Sequence, residues 1–310
     1  MKKYRIFVDG SNGTTGLEIH KRLLDRDDIE LANLHGDKRK DLLARKDMVI
    51  NSDLSILCLP DEVSKELVIE VNGRGRILDA STGHRTNPNW VYGLPELVSG
   101  QRQKIASSSR VCIPGCHASG FILMVRPLIE NNFFDPKNTL TCFSLTGYSG
   151  GGKAMIKDYE EMMNSSLESP GLYGLQQKHK HLPEMRVMAK LESTPVFIPI
   201  VANYYRGMLV TLPLQARLLN KDLGKAELLN IYKEYYKDEP LIEVKECEEF
   251  LIYGNEKAGR DDVCIYVYGT QENPLVSAVF DNLGKGASGA GVQCMNLMLG
   301  IKENTGLFID

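Results

Sequence analysis

The stretch that ends at Leu24 constrains the fold most, because it predicts a strand, a glycine loop and a helix in direct succession. Tyr4–Val8, with Ile6, Phe7 and Val8 in succession, is typical of a strand. Gly10, Gly13 and Gly16 follow it with GxxGxxG spacing rather than the more common GxGxxG, and an apolar helical pattern comes next. In this context glycines let the backbone approach a pyrophosphate, whose charge rests on the helix N-terminus. The stretch therefore predicts a dinucleotide-binding domain; the alternative is a structural turn that happens to be rich in glycine.

Alternating strand and helix patterns continue up to residue 116 and predict a Rossmann-like, doubly wound α/β domain. Strands are expected at 29–34, 54–60 and 76–82, with a helix over 61–70. The strand at 76–82 ends in the hydroxyl residues Ser81 and Thr82. Because ligands bind at the carboxyl edge of such sheets, Ser81 is a candidate cofactor contact.

The charged turn after the second strand bears on which dinucleotide is bound. About 20 residues after a glycine loop, an acidic side chain binds the ribose 2′-hydroxyl of NAD, or basic side chains accept the 2′-phosphate of NADP. Asp37 is available for the first role, and Lys38, Arg39 and Lys40 for the second. Three cations beside one acid favour NADP(H). A solvated charge run that opens the next helix is the alternative.

Beyond residue 116 the pattern changes to period-2 strands mixed with helices. Strand-like runs cover 139–146, 196–201, 208–214, 263–268 and 274–280, and a helix is expected over 225–237. This mixture predicts an α+β domain with a mostly antiparallel or mixed sheet, covered on one face. Residues 284–291 are rich in glycine, which indicates close backbone approach or a hinge, and a closing helix is expected over 292–299.

The turn Ile113–Gly120 contains the best candidate for a reactive side chain. A Pro-Gly pair directly precedes Cys116, and the apolar spacing that follows predicts a helix. Cys116 is therefore expected at a helix N-terminus, where unpaired amides and the positive end of the dipole favour thiolate over thiol. A nucleophile competes here with a small buried residue, since free cysteine is usually core filler.

A nucleophilic thiol needs an acid–base partner that titrates near neutral pH, which histidine supplies. His179-Lys180-His181 holds two of the six histidines of the chain. Residues two apart on an extended chain point to the same side, so both rings could face one cleft. As a metal pair they lack an evident third ligand, and no metal site is expected. Ordinary surface histidines in a loop are the alternative.

Gly147–Ala154 matches the GxxxxGK pattern of a phosphate-binding P-loop and follows a predicted strand. Ala154 replaces the hydroxyl residue that would bind magnesium, and no strand-end aspartate for the metal is evident after it. A P-loop nucleotide-binding protein is therefore the alternative from a different functional class. A glycine loop that lines the site, with Lys153 or backbone amides near an anion, agrees better with the sequence.

Composition argues against several classes of partner. The chain has 310 residues, a formal net charge of −3 and a pI near 6.1, without the basic excess of a nucleic-acid-binding protein. Seven cysteines without regular spacing are typical of reduced thiols in an intracellular protein. Neither a signal peptide nor an apolar run of roughly 18 residues is evident, so a soluble cytoplasmic protein without membrane contact is expected.

Several separate motifs run along the whole chain in a fixed order: GSNGTTGLEIHKRL, LHGDKRKDLLARK, LDASTGHR, WVYGLPEL, PGCHASGF, GYSGGGKAMI, HKHLPEM and DNLGKGASGAGVQCMNLMLG. Together they resemble the short form of the N-acetyl-γ-glutamyl-phosphate reductase family, within the semialdehyde dehydrogenase superfamily. The resemblance implies reduction of N-acetyl-γ-glutamyl phosphate to N-acetylglutamate 5-semialdehyde with NADPH, in arginine biosynthesis, through a thioester. An aspartate-semialdehyde dehydrogenase or another acyl-phosphate reductase is the alternative with the same chemistry.

The resemblance also implies residue roles, domains and assembly. Cys116 is similar to the family's nucleophile and His181 to its acid–base residue. The implied substrate contacts are His179, Ser149, Lys153 and Arg85, and the implied cofactor contacts are Gly10, Gly13, Thr14, Thr15, Gly16, Lys38, Arg39, Ser81 and Asn282. An NADP-binding domain is expected over 1–116, completed by a C-terminal helix over 284–310. A catalytic and oligomerisation domain is expected over 117–283, with association into homodimers or homotetramers.

One departure from the family pattern lies next to the thiol. Many members read Gly-Cys-Tyr-Pro where this chain has Gly115-Cys116-His117-Ala118. Loss of the proline removes a preset helix start, and His117 places a third imidazole beside the thiol. From the sequence, the base can be His181, His179 or His117.

Overall fold

The computed structural model describes residues 3–162, 164–220 and 223–309, which divide into two compact units. The first unit comprises the chain up to Pro114 together with Ala287–Leu307. The second comprises Gly115–Gly286 and the residues from Phe308 onward. Cys116 therefore belongs to the second unit rather than to the end of the first domain, because the helix that begins at Cys116 packs on strands of the second unit.

A six-stranded parallel sheet forms the first unit. Its strands are β1 (Tyr4–Asp9), β2 (Ile29–Ala32), β3 (Leu54–Leu57), β4 (Ile77–Asp79), β5 (Val91–Tyr92) and β6 (Arg110–Cys112), in the order β2-β1-β3-β4-β6-β5. Helices α1 (Thr14–Leu24), α2 (Leu42–Ile50), α3 (Asp61–Glu70) and α4 (Gln101–Ser107) alternate with them. All neighbouring strands run parallel, so the predicted doubly wound α/β class is confirmed. Strands β2, β3 and β4 are shorter than predicted, because their pairing ends where the chain turns away from the sheet.

Apolar side chains fill both faces of this sheet, because successive residues of a strand point to opposite sides. On one face Ile6 of β1 packs in a cluster with Ile19 of α1. On the other face Phe7 packs with Val49 of α2 and Leu67 of α3. Burial on both faces explains why the strands are near-continuous apolar runs in the sequence.

A seven-stranded mixed sheet forms the second unit. Its strands are β7 (Thr141–Gly147), β8 (Gly171–Leu172), β9 (Val196–Ala202), β10 (Met208–Pro213), β11 (Ile242–Glu246), β12 (Val263–Gly269) and β13 (Pro274–Phe280), in the order β11-β12-β13-β10-β7-β9-β8. Its helices are α5 (Cys116–Glu130), α6 (Gly152–Glu160), α7 (Leu182–Met188) and α8 (Lys225–Tyr235). The pairs β11–β12 and β7–β9 are parallel and the other neighbours antiparallel, which confirms the predicted mixed sheet.

Helix α5 lies against β10 and β13 and is buried along nearly its whole length. Its sequence is apolar on all sides, as expected for a helix surrounded by protein. Gly120 allows the close approach to the sheet, since a Cβ there would lie 2.7 Å from Val210 Cγ2 and 2.8 Å from Phe280 Cε1. Tyr232 and Tyr236 add hydroxyl hydrogen bonds of 2.6 Å to backbone carbonyls of α5. The helix that begins at the candidate nucleophile is therefore a rigid element.

The closing helix begins earlier than the sequence pattern indicated. Gly284–Ser288 forms a short π-helical turn, and α9 (Gly289–Leu299) continues from it without a break. The glycines serve close packing: a Cβ at Gly291 would lie 3.0 Å from Ile113 Cδ1. Helix α9 belongs to the first unit, where Met295 joins the core cluster around β1.

Candidate active site

Cys116 is the first residue of α5, and a buried hydrogen bond from the preceding residue holds this helix start. Gly115 is the N-cap and has no side chain with which to cap the helix. Its own amide donates to Glu184 Oε1 of α7 at 2.7 Å, and Glu184 is only 1% exposed. The predicted helix start at Cys116 is present, with the thiol residue half-buried. Glu184, to which the sequence pattern assigned no role, supports it.

The first turn of α5 presents amide donors beside the thiol residue. The helical hydrogen-bond ladder begins with the Ser119 amide, which donates to the Gly115 carbonyl at 2.8 Å. The amides of His117 and Ala118 precede that ladder, and the helix dipole adds positive potential there. A thiolate on Cys116 and an oxyanion on a carbon bonded to its sulfur are both stabilised in such a field.

The π-helical turn packs directly against Cys116. A Cβ at Gly286 would lie 2.9 Å from Cys116 Cβ, so a larger residue would displace Cys116. The Gly286 amide donates to the Asp281 carbonyl at 2.9 Å. The fully buried Asp281 side chain pairs with Arg206 at 2.6 Å and accepts from the Leu283 amide at 2.8 Å. This turn is therefore held rigidly where it meets the thiol residue.

Three histidines gather in the second unit. The ring centroids of His117, His179 and His181 lie 4.8–5.6 Å from one another. Phe197 of β9 packs edge-on against His117 and His179, with centroid distances of 5.2 and 5.1 Å. Both rings of the His179–His181 segment thus face one cluster, as their spacing suggested.

The Gln177 side chain holds the loop that carries His179 and His181 on strand β9. It pairs with the backbone of β9 as a neighbouring strand would. The Gln177 amide group donates to the Phe197 carbonyl at 2.7 Å and accepts from the Phe197 amide at 2.9 Å. The His181 amide donates to His179 Nδ1 at 3.2 Å, which makes that nitrogen an acceptor. His181 is the N-cap of α7 and is 5% exposed. No local sequence pattern signals the contribution of Gln177.

His117 is held through both of its ring nitrogens. Nδ1 is hydrogen-bonded to Ser144 Oγ and Nε2 to the Tyr173 hydroxyl, each at 2.6 Å. Burial, with smaller contributions from His179 and Lys180, lowers the pKa of His117 to about 3. Burial and then Lys180 lower the pKa of His179 to about 4. Both imidazoles are therefore neutral at pH 7.

Ser149 and Asn282 lie together in a buried hydrogen-bonded group. Asn282 Nδ2 donates to Ser149 Oγ at 2.9 Å, and Asn282 Oδ1 accepts from the Gly207 amide at 2.7 Å. Each of the two side chains is 2% exposed. Lys153 is exposed on α6. The structure shows Ser149 and Asn282 as anchors of loops at the sheet edge, and the ligand contacts predicted for all three residues stay predictions.

The segment Gly147–Ala154 joins β7 to α6, but its first amides point into the protein. The amides of Tyr148 and Ser149 donate to the carbonyls of Tyr204 and Tyr205 at 2.9 and 3.0 Å. In a P-loop the backbone amides are directed at the nucleotide phosphates. This geometry argues against the P-loop alternative. Across the described residues, no group of three or more His, Cys, Asp or Glu is placed to hold a metal ion.

The glycine loop of the first unit fits an anionic dinucleotide. Gly10 has φ +82°, and a Cβ there would lie 2.2 Å from the Cys58 carbonyl oxygen. A Cβ at Gly16 would lie 2.4 Å from the Gly10 carbonyl oxygen, so packing within the protein requires both glycines. At Gly13 the nearest atom would be 3.5 Å away, which is ordinary contact. Gly13 is the N-cap of α1 ahead of Thr14–Thr15, and its missing side chain leaves the helix start open to a phosphate.

The basic turn after β2 lies beside the end of β1. Gly36–Arg39 forms a 3-10 turn in which Lys38 is exposed and Arg39 half-buried. Arg45 of α2 pairs with the buried Asp9 at 3.2 Å. Burial raises the pKa of Asp9, while Arg45 and, more weakly, Arg39 act to lower it. Arg39 is therefore close to the carboxyl end of β1, where the glycine loop begins.

Ser81 belongs to a buried polar network that the sequence did not indicate. Asp79 is fully buried and accepts from Ser64 Oγ at 2.9 Å and from Ser81 Oγ at 2.6 Å. Its second oxygen also pairs with His84 Nδ1 at 2.6 Å. The adjacent Arg85 donates to a backbone carbonyl of the same loop at 3.0 Å. The network shapes the loop after β4, which carries the predicted contacts Ser81 and Arg85.

Comparisons with known proteins extend this description. The family described as "Semialdehyde dehydrogenase, dimerisation domain" matches residues 116–282. A Nostoc sp. (strain PCC 7120) protein named N-acetyl-gamma-glutamyl-phosphate reductase 2 is 41% identical, with 99% of this chain and 100% of that protein covered. The N-acetyl-gamma-glutamyl-phosphate reductase of Brucella ovis is 40% identical, with 96% and 99% covered.

Solved structures of aspartate semialdehyde dehydrogenases share the fold. The Francisella tularensis enzyme superposes with a TM-score of 0.73 at 14% identity, covering 96% of this chain and 100% of that one. The Candida albicans enzyme, solved with NADP, superposes with a TM-score of 0.66 at 14% identity, covering 96% and 99%. At such identities the likeness is one of fold alone.

Because His117 and His179 are neutral in the folded protein, we expect acid to lower its free energy of unfolding. The pKa of His117 drops from 6.5 to about 3 on folding and that of His179 to about 4. As the pH falls below 6.5, the unfolded chain takes up protons that the folded chain does not, so the free energy of unfolding decreases. We expect His117→Gln to make this decrease shallower in urea titrations between about pH 7 and about pH 4.5.

Phe197→Leu is the matched control, because it loosens packing against the same two rings without removing a titratable group. It should lower the free energy of unfolding at every pH and retain the slope. An unchanged slope in His117→Gln would show that the His117 ring accepts a proton within the folded chain.

Proposed function

This chain belongs to the N-acetyl-γ-glutamyl-phosphate reductase family, and on that premise we propose that it works through a thioester on Cys116. The reaction is the NADPH-dependent reduction of N-acetyl-γ-glutamyl phosphate to N-acetylglutamate 5-semialdehyde with release of phosphate, in arginine biosynthesis. One observation carries the residue assignment: Cys116 and His181 stand at the starts of two helices that are joined by the bond between Gly115 and Glu184.

The proposed mechanism is covalent. The Cys116 thiolate attacks the acyl carbon, phosphate leaves with the electrons of the broken C–O bond, and an S-acyl thioester forms. Conversion of the thioester to a thiohemiacetal takes a hydride, which NADPH supplies when bound, and a proton, which His181 donates to the former carbonyl oxygen. Return of that proton to His181 then releases the aldehyde and regenerates the thiolate. Amides in the first turn of α5 stabilise the oxyanion at each tetrahedral stage.

We assign proton transfer to His181. His117 is neutral and engaged at both ring nitrogens, which leaves no position for an incoming proton. His179 Nδ1 accepts a hydrogen bond from the His181 amide, and its pKa of about 4 makes His179 a weak base at pH 7. His179 is instead proposed as a substrate contact, together with Arg85, Ser149 and Lys153.

The proposed cofactor contacts lie in the glycine loop and the turns beside it. Gly13 leaves room for the pyrophosphate at the start of α1, and Arg39 lies near the same strand end, where it can meet a 2′-phosphate. The full proposed set is Gly10, Gly13, Thr14, Thr15, Gly16, Lys38, Arg39, Ser81 and Asn282.

We also propose a cytoplasmic location. All seven cysteines are free, and reduced thiols are typical of that compartment. In the part of the chain that the structure describes, no helix has the length and apolar character needed to cross a membrane. Fractionation of cells that express the chain tests this location.

Self-association is proposed to use the open face of the second unit's sheet. Phe143 of β7 and Val196 of β9 are 41% and 43% exposed, which is unusual for large apolar residues on central strands. Leu145, Ile198 and Leu209 continue this apolar face on paired strands and are half-buried. Contiguous exposed apolar surface of this kind marks a protein–protein contact. The family match over 116–282 is a dimerisation domain, which agrees with a homodimer or homotetramer.

The function is tested by substrate ranking. With NADP and phosphate, the reverse reaction should proceed with N-acetylglutamate 5-semialdehyde and hardly at all with aspartate semialdehyde. The physical reason is that a site for the acetylated compound accepts a neutral amide where aspartate semialdehyde carries an ammonium. Absorbance of NADPH measures both rates. A faster rate with aspartate semialdehyde would be compatible with the proposed mechanism but would refute the substrate assignment.

Variants of the catalytic pair serve as controls for that assay. Cys116→Ser should fold, bind NADP and lose nearly all turnover. His181→Asn should cost about a hundredfold or more and flatten one limb of the rate–pH profile, whereas His179→Asn should retain that limb. A complete bell-shaped profile in His181→Asn would assign the proton transfer to another residue.

The preference for NADP over NAD should depend on the basic turn after β2. Changing Lys38 and Arg39 to Ser should remove about 1–3 kcal/mol of binding, which is roughly ten- to a hundredfold in preference. Because Arg39 is the half-buried member, Arg39→Ser alone should account for most of the loss, with exposed Lys38→Ser as its control. Steady-state kinetics with both cofactors measure this. Equal catalytic efficiency with NAD and NADP in the unmodified protein would exclude the assignment.

The association surface is tested by sedimentation velocity. The unmodified protein should sediment as a multiple of the 34.6 kDa chain. Phe143→Glu places a charge on the open sheet face and should shift the protein toward monomer. Phe250→Glu is the control, since Phe250 is 97% exposed and lies outside the strands of the sheet. Dissociation by Phe250→Glu with no effect of Phe143→Glu would place the contact elsewhere.

A further inference from the structure

His117 connects a buried strand residue to a tyrosine hydroxyl at the histidine cluster. Its Nδ1 meets Ser144 Oγ and its Nε2 meets the Tyr173 hydroxyl, each at 2.6 Å. We propose that His117 is a positioning residue that orients the Tyr173 hydroxyl as a hydrogen-bond donor to the Cys116 thiolate. This inference rests on the proposed role of Cys116 as the nucleophile.

Proton counting leaves two arrangements for this chain of hydrogen bonds. A neutral imidazole has one donor and one acceptor nitrogen, and each hydroxyl has one proton to donate. In the first arrangement Ser144 donates to Nδ1, Nε2–H donates to the Tyr173 oxygen, and the tyrosine proton is available to a third group. In the second, Tyr173 donates to Nε2 and Nδ1–H donates to Ser144. Only the first arrangement leaves the tyrosine proton for an anion outside this series of hydrogen bonds. A thiolate on Cys116 therefore favours the first arrangement.

The charge of Cys116 contributes to the raised pKa of Tyr173. Burial, followed by the charge of Cys116, raises the pKa of Tyr173 far above its usual range. Tyr173 therefore keeps its proton throughout the working pH range, as a donor must. This coupling shows that the two groups act on each other at one site, where a hydroxyl that donates to the thiolate stabilises the charged form of the thiol.

The His117 ring is fixed well enough to orient its partner. It is 3% exposed, follows Cys116 in the first turn of α5 and packs edge-on against Phe197. Its pKa of about 3 keeps it neutral, so its acceptor nitrogen remains available to Ser144 at every pH at which the protein is folded and active. Tyr173 itself follows β8, and its amide donates to the Pro199 carbonyl at 3.2 Å. Both ends of the bond are therefore held by secondary structure.

Other titratable groups lie on the elements around Cys116 and Tyr173, and all of them stay unchanged in the test. They are His179, Lys180 and His181 of the loop before α7, Glu184 of α7, and Asp281, Lys285 and Arg206 beside the π-helical turn.

The test measures the thiol directly, without substrate or NADP. The rate of iodoacetamide labelling at Cys116, followed by peptide mass mapping, gives a pH profile whose midpoint is the thiol pKa. A hydrogen bond to a charged group is worth about one to two pKa units, so Tyr173→Phe should raise the midpoint by about one unit or more. Tyr236→Phe is the matched control, because it removes a 2.6 Å hydroxyl bond to the Leu123 carbonyl of the same helix. Its midpoint should equal that of the unmodified protein.

Two substitutions of His117 separate positioning from general disruption. A glutamine side chain ends near the place of Nε2 and can donate to Tyr173, whereas an asparagine side chain ends near Nδ1 and reaches Ser144 only. His117→Gln should therefore retain the midpoint, and His117→Asn should shift it as Tyr173→Phe does. Equal midpoints in the unmodified protein and Tyr173→Phe would overturn the proposal. So would a shift in His117→Gln as large as that in His117→Asn.

The outcome is independent of the substrate assignment. If the chain fails to turn over N-acetylglutamate 5-semialdehyde, the labelling midpoints still report whether Tyr173 acts on the thiol. If turnover is present and the midpoints do not move, the function stands and the positioning role of His117 is refuted.

Discussion

The hydrogen bond from the Gly115 amide to the Glu184 carboxylate is the contact on which the arrangement of the site most depends. It joins the residue before α5 to the first turn of α7, inside the second unit. Burying a carboxylate costs free energy unless hydrogen-bond donors satisfy it, so the Glu184 side chain must keep its bond to the Gly115 amide. Because that bond joins α5 to α7, it also fixes the two helix starts relative to each other. Cys116 and His181 occupy those starts. Glu184 therefore sets where Cys116 and His181, the proposed nucleophile and its proposed acid–base partner, stand relative to each other.

The rest of the second unit keeps those helix starts from moving. Helix α5 is held against the sheet at Gly120, where only the absence of a side chain permits the contact, and by two tyrosine hydroxyls, from Tyr232 of α8 and Tyr236 at its C-cap. The loop with the histidines is held at one end by α7, which begins after His181, and further back by Gln177, which pairs with the backbone of β9. Groups that must keep their geometry through several chemical steps are thus supported by main-chain contacts on regular elements. The neutral His117 ring adds to this support, since it is hydrogen-bonded to two hydroxyl groups, one at each ring nitrogen.

Features that depend on neighbours in the sequence were predictable, and features that depend on distant partners were not. The Pro-Gly pair before Cys116 and the apolar run after it predicted the helix start, and strand periodicity predicted one parallel and one mixed sheet. Glu184 lies 69 residues from Gly115, and Tyr173 lies 56 residues from His117, so no periodicity connects them. Such pairs form only when the sheet closes the intervening loops. The P-loop alternative, already disfavoured by Ala154, is opposed by contacts of the same long-range kind, because carbonyls of a distant strand connection accept the first amides of the segment.

The first unit is discontinuous along the chain, which departs after Pro114 and returns at Ala287. The returning helix α9 supplies Val292 and Met295 to the core cluster that surrounds β1. A ribosome releases residues 115–286 before it releases that helix, so the inserted unit has nearly all of its residues while the first still lacks part of its core. We therefore expect the inserted unit to complete its fold first, the reverse of the usual order in which the N-terminal domain folds first during synthesis. Until that helix arrives, the apolar face that holds Ile6 is only partly covered, by residues such as Ile19 of α1.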